Sequence, residues 1–248
     1  MFGYGIAGVA LMVFALVHFI KYRSGNWIWL YVIIFLGPLG ALIYLIIEVL
    51  PELRGTQTSS KWLGRRRDIK RMEATVLDNP SPGNYEELGE LYLEQRDYTR
   101  ARECFSKAIT PRADTPHAYY GRAVSALKLG DTAAAIPDLE KTVAMDPKHD
   151  YNRAAGLLAN AYALSGRAED AARMFQQALT TSTLSETQYY YARFLAAQGK
   201  IDEAREMAQQ IVRKRASVSP KLRRADAPWF SATDTLLKEL DSKAVARR

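Results

Sequence analysis

Side chains able to do acid–base or covalent chemistry are few and scattered in this 248-residue chain. His18, His117 and His149 are its three histidines, and Cys104 is its single cysteine. No paired carboxylates come with a matching base, no glycine-rich loop has a phosphate-cradling spacing, and no Cys/His group has metal-ligand spacing. One cysteine excludes an internal disulfide and a cysteine-based zinc cluster. Set within a helical pattern, Cys104 reads as a small core residue. His117 and His149 fall between helical segments, where a solvated loop histidine is the default. These residues nominate no catalytic group, no cofactor and no metal, so a non-enzyme is expected.

Charge is organised in blocks instead. Of the net charge of +7, residues 1–50 carry +1, 51–80 carry +3, 81–212 carry −3 and 213–248 carry +6. Basic flanks around a mildly acidic middle suit anionic lipid headgroups better than nucleic acid. The basic runs Arg213-Lys214-Arg215 and Lys221-x-Arg223-Arg224 come without interleaved aromatics or a groove-reading motif, so no nucleic-acid partner is expected.

The elements that must position these groups begin with an apolar segment. Residues 2–50 carry only Lys21, Arg23 and Glu48 as charges. Phe2–Ile20 supplies 19 apolar residues, enough at ~1.5 Å per residue to reach across a ~30 Å hydrocarbon core. The polar break at residues 21–26 is followed by the 24 residues Trp27–Leu50, opening on the interface-seeking aromatics Trp27, Trp29 and Tyr31. With no basic leader and no small-x-small site, a cleaved signal peptide fits poorly. The pattern predicts a two-helix transmembrane hairpin over residues 1–50. Two basic residues lie in the loop and seven follow the second helix (Arg54, Lys61, Arg65, Arg66, Arg67, Lys70 and Arg71). The positive-inside bias therefore predicts a two-pass protein of a bacterial inner membrane with both termini in the cytoplasm. Gly37-Pro38 is expected to kink the second helix, and His18 and Glu48 to sit at interfaces on opposite ends of the hairpin.

His18 near the first helix end, Trp27 and Trp29 opening the second, and the run Gly37-Pro-Leu-Gly-Ala-Leu-Ile-Tyr44 resemble the phospholipase D-nuclease (cardiolipin synthase) N-terminal domain. That resemblance implies a membrane anchor. The His-x-Lys-x4-Asp motif of the catalytic part is absent, so it implies no phospholipase chemistry.

Residues 51–81 read as a basic linker and an amphipathic helix capped by Ser59 or Ser60. Trp62, Ile69, Met72 and Val76 fall on one side of that helix, and Arg65, Arg66, Arg67, Lys70 and Arg71 on the other. Two roles are open for it, lying on anionic lipid or closing the end of the array that follows.

From Tyr85 onward the sequence repeats. Ala101, Ala135, Ala171 and Ala204 are spaced 34, 36 and 33 apart, and turns recur at Arg96-Asp97, Gly130-Asp131, Gly166-Arg167 and Gly199-Lys200. Small residues at Gly89, Ala123, Ala159 and Ala192 allow two helices to approach, and Tyr92, Phe105, Tyr162 and Phe175 fill between units. Arg122 and Gln188 replace apolar positions, which makes units two and four degenerate. The run Tyr85-x2-Leu88-Gly89-x2-Tyr92 followed by Ala101-x3-Phe105-x2-Ala108 resembles the tetratricopeptide repeat. The expected fold is all-α, with repeats at 82–115, 116–149, 152–184 and 185–217. A capping helix and basic tail would follow over 218–248, with Asp226 as cap and Trp229, Thr233, Leu236, Leu237 and Leu240 as its apolar stripe.

In tetratricopeptide domains the first helix of each unit lines a concave groove. The resemblance places Glu86, Glu87, Glu90 and Glu94 there, then Tyr120, Val124 and Lys128, then Arg153, Asn160 and Leu164, then Tyr189, Tyr190 and Arg193. Glutamates stand where the carboxylate-clamp subset of that family has lysine and asparagine. The implied partner is accordingly a basic or aromatic protein segment. Two function classes follow. One is a membrane-anchored interaction scaffold; the other is an accessory subunit of a lipid-metabolising or cell-envelope enzyme acting through the hairpin.

Overall fold

The computed structural model describes residues 6–22, 28–49 and 57–246. These divide into two bodies, Met1–Asp68 and Ile69–Arg248. Arg23, Trp27 and Arg54, and the side chains of Lys21, Glu48, Lys61 and Trp62, lie outside the described residues.

In the first body, helices α1 (Ile6–Tyr22) and α2 (Ile28–Tyr44) pack around Ala15, Phe19, Ile33, Ala41 and Tyr44, all buried. A π-helical turn, Leu45–Val49, follows. By length and composition alone the segment Ile28–Ile47 would suffice to cross a membrane, and Gly8–Phe19 is a shorter apolar stretch. The expected kink at Gly37-Pro38 is in fact a chain reversal. Gly37 takes φ 59° and ψ −134°, a conformation open to glycine because it lacks a Cβ. Beyond it the chain runs back along its own first arm, and a Cβ on Gly40 would stand 2.0 Å from the Val32 carbonyl oxygen. Proline favours the break, since its ring opposes continuation of the preceding turn.

Helix α3 (Gln57–Asp78) begins two residues before the serines expected to cap it, so Ser59 and Ser60 lie inside its first turn. From Ile69 onward it belongs to the second body. Four helix pairs follow: α4 (Pro82–Glu94) with α5 (Tyr98–Ala108), α6 (Pro116–Lys128) with α7 (Thr132–Met145), α8 (His149–Leu164) with α9 (Ala168–Leu179), and α10 (Ser185–Ala197) with α11 (Ile201–Ser217). Helices α12 (Pro220–Ala225) and α13 (Ala227–Ala246) complete the chain. No strand occurs among the described residues; Thr110 and Ala113 form an isolated bridge.

Local chemistry starts these helices. Ser81 and Thr115 each cap a helix whose next residue is proline, and Asp97 and Asp131 accept the N–H groups of Arg100 and Ala134. The four repeated alanines, Ala101, Ala135, Ala171 and Ala204, are fully buried, which is why nothing larger fits where paired helices touch. Phe105, also fully buried, fills the space between α4 and α6 left by Gly89 and Gly121. Arg122 is not a lapse in the pattern. Its guanidinium makes two hydrogen bonds, 2.7 and 2.6 Å, to buried Asp138, so an ion pair stands where an apolar contact was expected.

The array is closed at both ends. Ile69, Met72 and Val76 of α3 bury against Leu88, Tyr92 and Cys104, and Tyr92 Oη donates to Glu73 at 2.5 Å. Burial and that carboxylate push the Tyr92 phenol up to about 12. Burial likewise pushes the Cys104 thiol up to about 11, which leaves it protonated and unreactive at neutral pH. At the other end, Leu236 and Leu240 of α13 cover Ala192, Leu195 and Ala204. The Asp226 carboxylate accepts the Ser185 hydroxyl at 2.7 Å, tying the fourth pair to this cover, while its backbone carbonyl accepts the N–H groups of Trp229 and Phe230.

Candidate functional site

The first helices of the four pairs, α4, α6, α8 and α10, place ten of the thirteen expected positions in three adjoining hollows. The largest is a cavity of about 620 Å³ lined by Glu90, Glu94, Tyr120, Val124, Lys128 and Arg153 together with residues the repeat register did not nominate. Val124, Lys128 and Arg153 continue into a second hollow with Asn160, Leu164 and Tyr190, and Asn160, Leu164 and Tyr190 into a third with Arg193. Nine of the thirteen expected positions therefore stand in the first two hollows, and Arg193 in the third.

Three do not. Glu86 accepts the Thr115 hydroxyl at 2.7 Å and ties α4 to the start of α6. Glu87 is exposed and lines none of the three hollows. Tyr189 lies against Trp229, ring centres 5.8 Å apart, because the C-terminal helix begins over that end of the array. Trp229 also meets Tyr190 edge-on at 5.3 Å, so this end is partly covered.

Sequence reasoning missed His117, His149, Asp150 and Glu186. His117 Nε2 lies 3.2 Å from Glu90 Oε1, and this hydrogen bond raises the imidazole above its ordinary value. His149 packs edge-on against the Tyr120 ring at 4.9 Å. Both histidines are half-buried in the wall of the cavity and not in solvated loops. Only three-dimensional stacking of helix starts reveals this, since the two are 32 residues apart, nearly one repeat.

The floor is a polar chain across three repeats. Tyr120 Oη donates to Asp150 Oδ2 at 2.6 Å, and Arg153 Nε donates to Glu186 Oε2 at 2.6 Å. Arg153 also approaches Asp150 at 3.5 Å, and Tyr190 Oη donates to Glu186 Oε1 at 3.3 Å. Burial pushes both phenols far up, with Glu186 adding to the shift at Tyr190. Asp150 reaches this position from an unusual backbone: Asp150, Tyr151 and Asn152 all have positive φ, at 47°, 55° and 65°. The three fall within the longest alanine interval, the 36 residues from Ala135 to Ala171. The left-handed turn is costly for such residues and puts the Asp150 carboxylate beside Tyr120 and Arg153. Among the described residues, no group of three His, Cys, Asp or Glu side chains could hold a metal ion.

Two profiles of the tetratricopeptide repeat match these residues, one over 86–150 and again over 120–186, the other over 185–210, together half of the chain. The chain belongs to the tetratricopeptide repeat family. Tetratricopeptide proteins are generally protein-interaction scaffolds. Among solved structures, the repeat body is similar to YrrB, described as a TPR protein with an unusual peptide-binding site (19% identity, 65% of this chain and 84% of that one, TM-score 0.52). It is similar also to MamA of Desulfovibrio magneticus (20% identity, 67% and 94%, TM-score 0.57). A third is TTC0263, a TPR protein of Thermus thermophilus (19% identity, 75% and 98%, TM-score 0.52). At these identities the likeness establishes the fold alone. No curated protein matches the chain. Neither family match reaches the N-terminal hairpin, whose resemblance to the phospholipase D-nuclease N-terminal domain stands on its sequence alone.

Proposed function

We propose that this tetratricopeptide protein is a non-catalytic scaffold, anchored to a bacterial inner membrane by its N-terminal hairpin, whose groove takes an extended segment of a partner protein. The observation that carries the reading is the cavity of about 620 Å³ between Glu90, Glu94, Tyr120 and Arg153, open along the first helices of successive repeats. The acidic side chains Glu90, Glu94 and Asp150 stand there with Tyr98, Tyr120, His117 and His149, beside the cations Arg96, Lys128 and Arg153, the last of them already paired with Asp150 and Glu186. Carboxylates interleaved with rings favour a basic or aromatic segment. The peptide-binding site described for YrrB, a protein of the same fold, supports the same use of the repeats. The basic face of α3, with Arg66, Arg67, Lys70 and Arg71 exposed and Arg65 half-buried, supports contact with anionic headgroups.

The test is photocrosslinking in intact membranes, with the crosslinking residue at Val124 in the groove or at exposed Glu169 on α9. One partner captured from Val124, absent from Glu169 and lost in Glu94→Lys, is the expected result. Equal capture from both positions contradicts the groove as the working surface.

A further inference from the structure

The N-terminal body carries an inference about its membrane topology. It rests on the membrane reading above and goes beyond it. Trp29 and Tyr44 stand fifteen residues apart in sequence, which along a straight helix is ~22 Å. Their ring centres are 5.6 Å apart, because the chain folds back at Gly37. The first arm, Ile28 to Leu36, is nine residues, or ~14 Å of helix, about half of a ~30 Å hydrocarbon core.

The tip of the fold-back is apolar and outward-facing. Phe35 is 80% exposed, Leu39 60% and Leu36 46%, while the turn glycines Gly37 and Gly40 are buried beneath them. A reversal in water is ordinarily polar; this one carries hydrocarbon side chains outside and hides its backbone. That is what non-helical backbone requires at membrane depth, and Pro38 removes one N–H that would need a partner there. At the other end of both arms the amphipathic groups gather. His18 Nδ1 lies 3.0 Å from Tyr44 Oη, and Trp29 and Phe19 meet the Tyr44 ring edge-on. A Trp, a Tyr and a His at one level mark a single headgroup boundary, where the segment both enters and leaves.

We propose that α2 is re-entrant. It dips to about the middle of the bilayer and returns, so that Ile28 and the chain beyond Val49 lie at one face, while α1 crosses and places Ile6 at the other. The distribution of charge agrees. In a two-pass arrangement Lys21 and Arg23 face away from the seven basic residues between Arg54 and Arg71 and oppose the positive-inside bias. In the re-entrant arrangement all nine lie on one side, which would be the cytoplasm, with the N-terminus outside.

The experiment is cysteine accessibility in the full chain, in sealed membrane vesicles, on a Cys104→Ser background. Single cysteines replace Ile28, Arg66 or Leu39, a membrane-impermeant maleimide is the probe, and a protease-sensitive tag precedes Met1. Expected are labelling of the Ile28→Cys and Arg66→Cys variants from the same face, no labelling of Leu39→Cys, and cleavage of the tag only from the opposite face. Labelling of positions 28 and 66 from opposite faces overturns the proposal and restores two crossings, leaving the anchor intact. Labelling of position 39 with 28 and 66 on one face overturns the insertion. A tag on the same face as position 66 overturns the crossing by α1. Extraction of the wild-type chain from membranes by carbonate overturns the anchor itself, and the topology with it.

Discussion

Glu186 holds Arg153 across a repeat boundary: its carboxylate, 6% exposed, accepts the guanidinium Nε at 2.6 Å from the start of α10. Arg153 in turn faces Asp150, and Glu186 also receives the Tyr190 hydroxyl. The cation in the middle of the groove is therefore fixed in place before any partner arrives.

Removing Glu186 leaves a half-buried guanidinium with only its longer contact to Asp150, and a phenol without its acceptor. We expect Glu186→Ala to lower the stability of the purified chain by about 1–3 kcal/mol in urea unfolding. Glu186→Gln, which keeps an acceptor, should recover part of that. Equal stability of Glu186→Ala and wild type would show that the pair positions nothing.

His117 supplies a pH dependence. Its folded value is raised by the hydrogen bond to Glu90, with Glu86 and Asp150 adding attraction and burial opposing. A raised base stabilises the fold fully below its unfolded value of ~6.5, and that contribution is lost as pH rises through the higher folded value. Stability should therefore decline above about pH 6.5, and Glu90→Gln should flatten the decline. Imidazole titration by NMR checks it directly: a His117 midpoint at or below that of a peptide histidine contradicts the pairing.

Phe105 is held between two glycines, and a Cβ on Gly121 would stand 2.3 Å from its ring. Gly121→Ala should destabilise by about 1–3 kcal/mol through overpacking. The smaller ring-free side chain in Phe105→Leu should relieve the clash, so the double variant is expected to be more stable than the sum of the two single changes allows. Strict additivity in the thermal melts would contradict the contact.

Arg96 occupies a left-handed turn position, φ 62°, where the later repeats carry Gly130, Gly166 and Gly199 at 82°, 76° and 79°. Arg96→Gly should therefore stabilise by about 0.5–1 kcal/mol, relieving the strain of a Cβ in that region. A lower melting temperature for this variant would show that the Arg96 side chain contributes more than its backbone costs.

The repeats were legible because their rules are local. A small residue where paired helices touch, an aromatic between units and a turn at a fixed offset leave a mark in each repeat, and Ala101, Ala135, Ala171 and Ala204 are buried accordingly. The groove was legible only by register. That carried Tyr120, Val124, Lys128 and Arg153 to the lining of one hollow but nominated Tyr189 too, which Trp229, forty residues on, covers. Arg122 looked like a defect because its partner Asp138 lies sixteen residues away on the next helix. The reversal at Gly37 was hidden for a different reason: an apolar composition without charges fits a straight span and a folded-back one equally, and only backbone geometry separates them.

A groove that receives a basic, aromatic protein segment, as proposed above, should tell apart two peptides in a fluorescence-anisotropy titration of the purified full chain: a labelled peptide alternating Arg and Tyr, and the same peptide with Glu for Arg. Binding of the first and not the second, weakened at least tenfold by Glu90→Lys together with Glu94→Lys and reduced by added salt, is the predicted result. Equal binding of both peptides, or affinity untouched by the charge reversal, would contradict it.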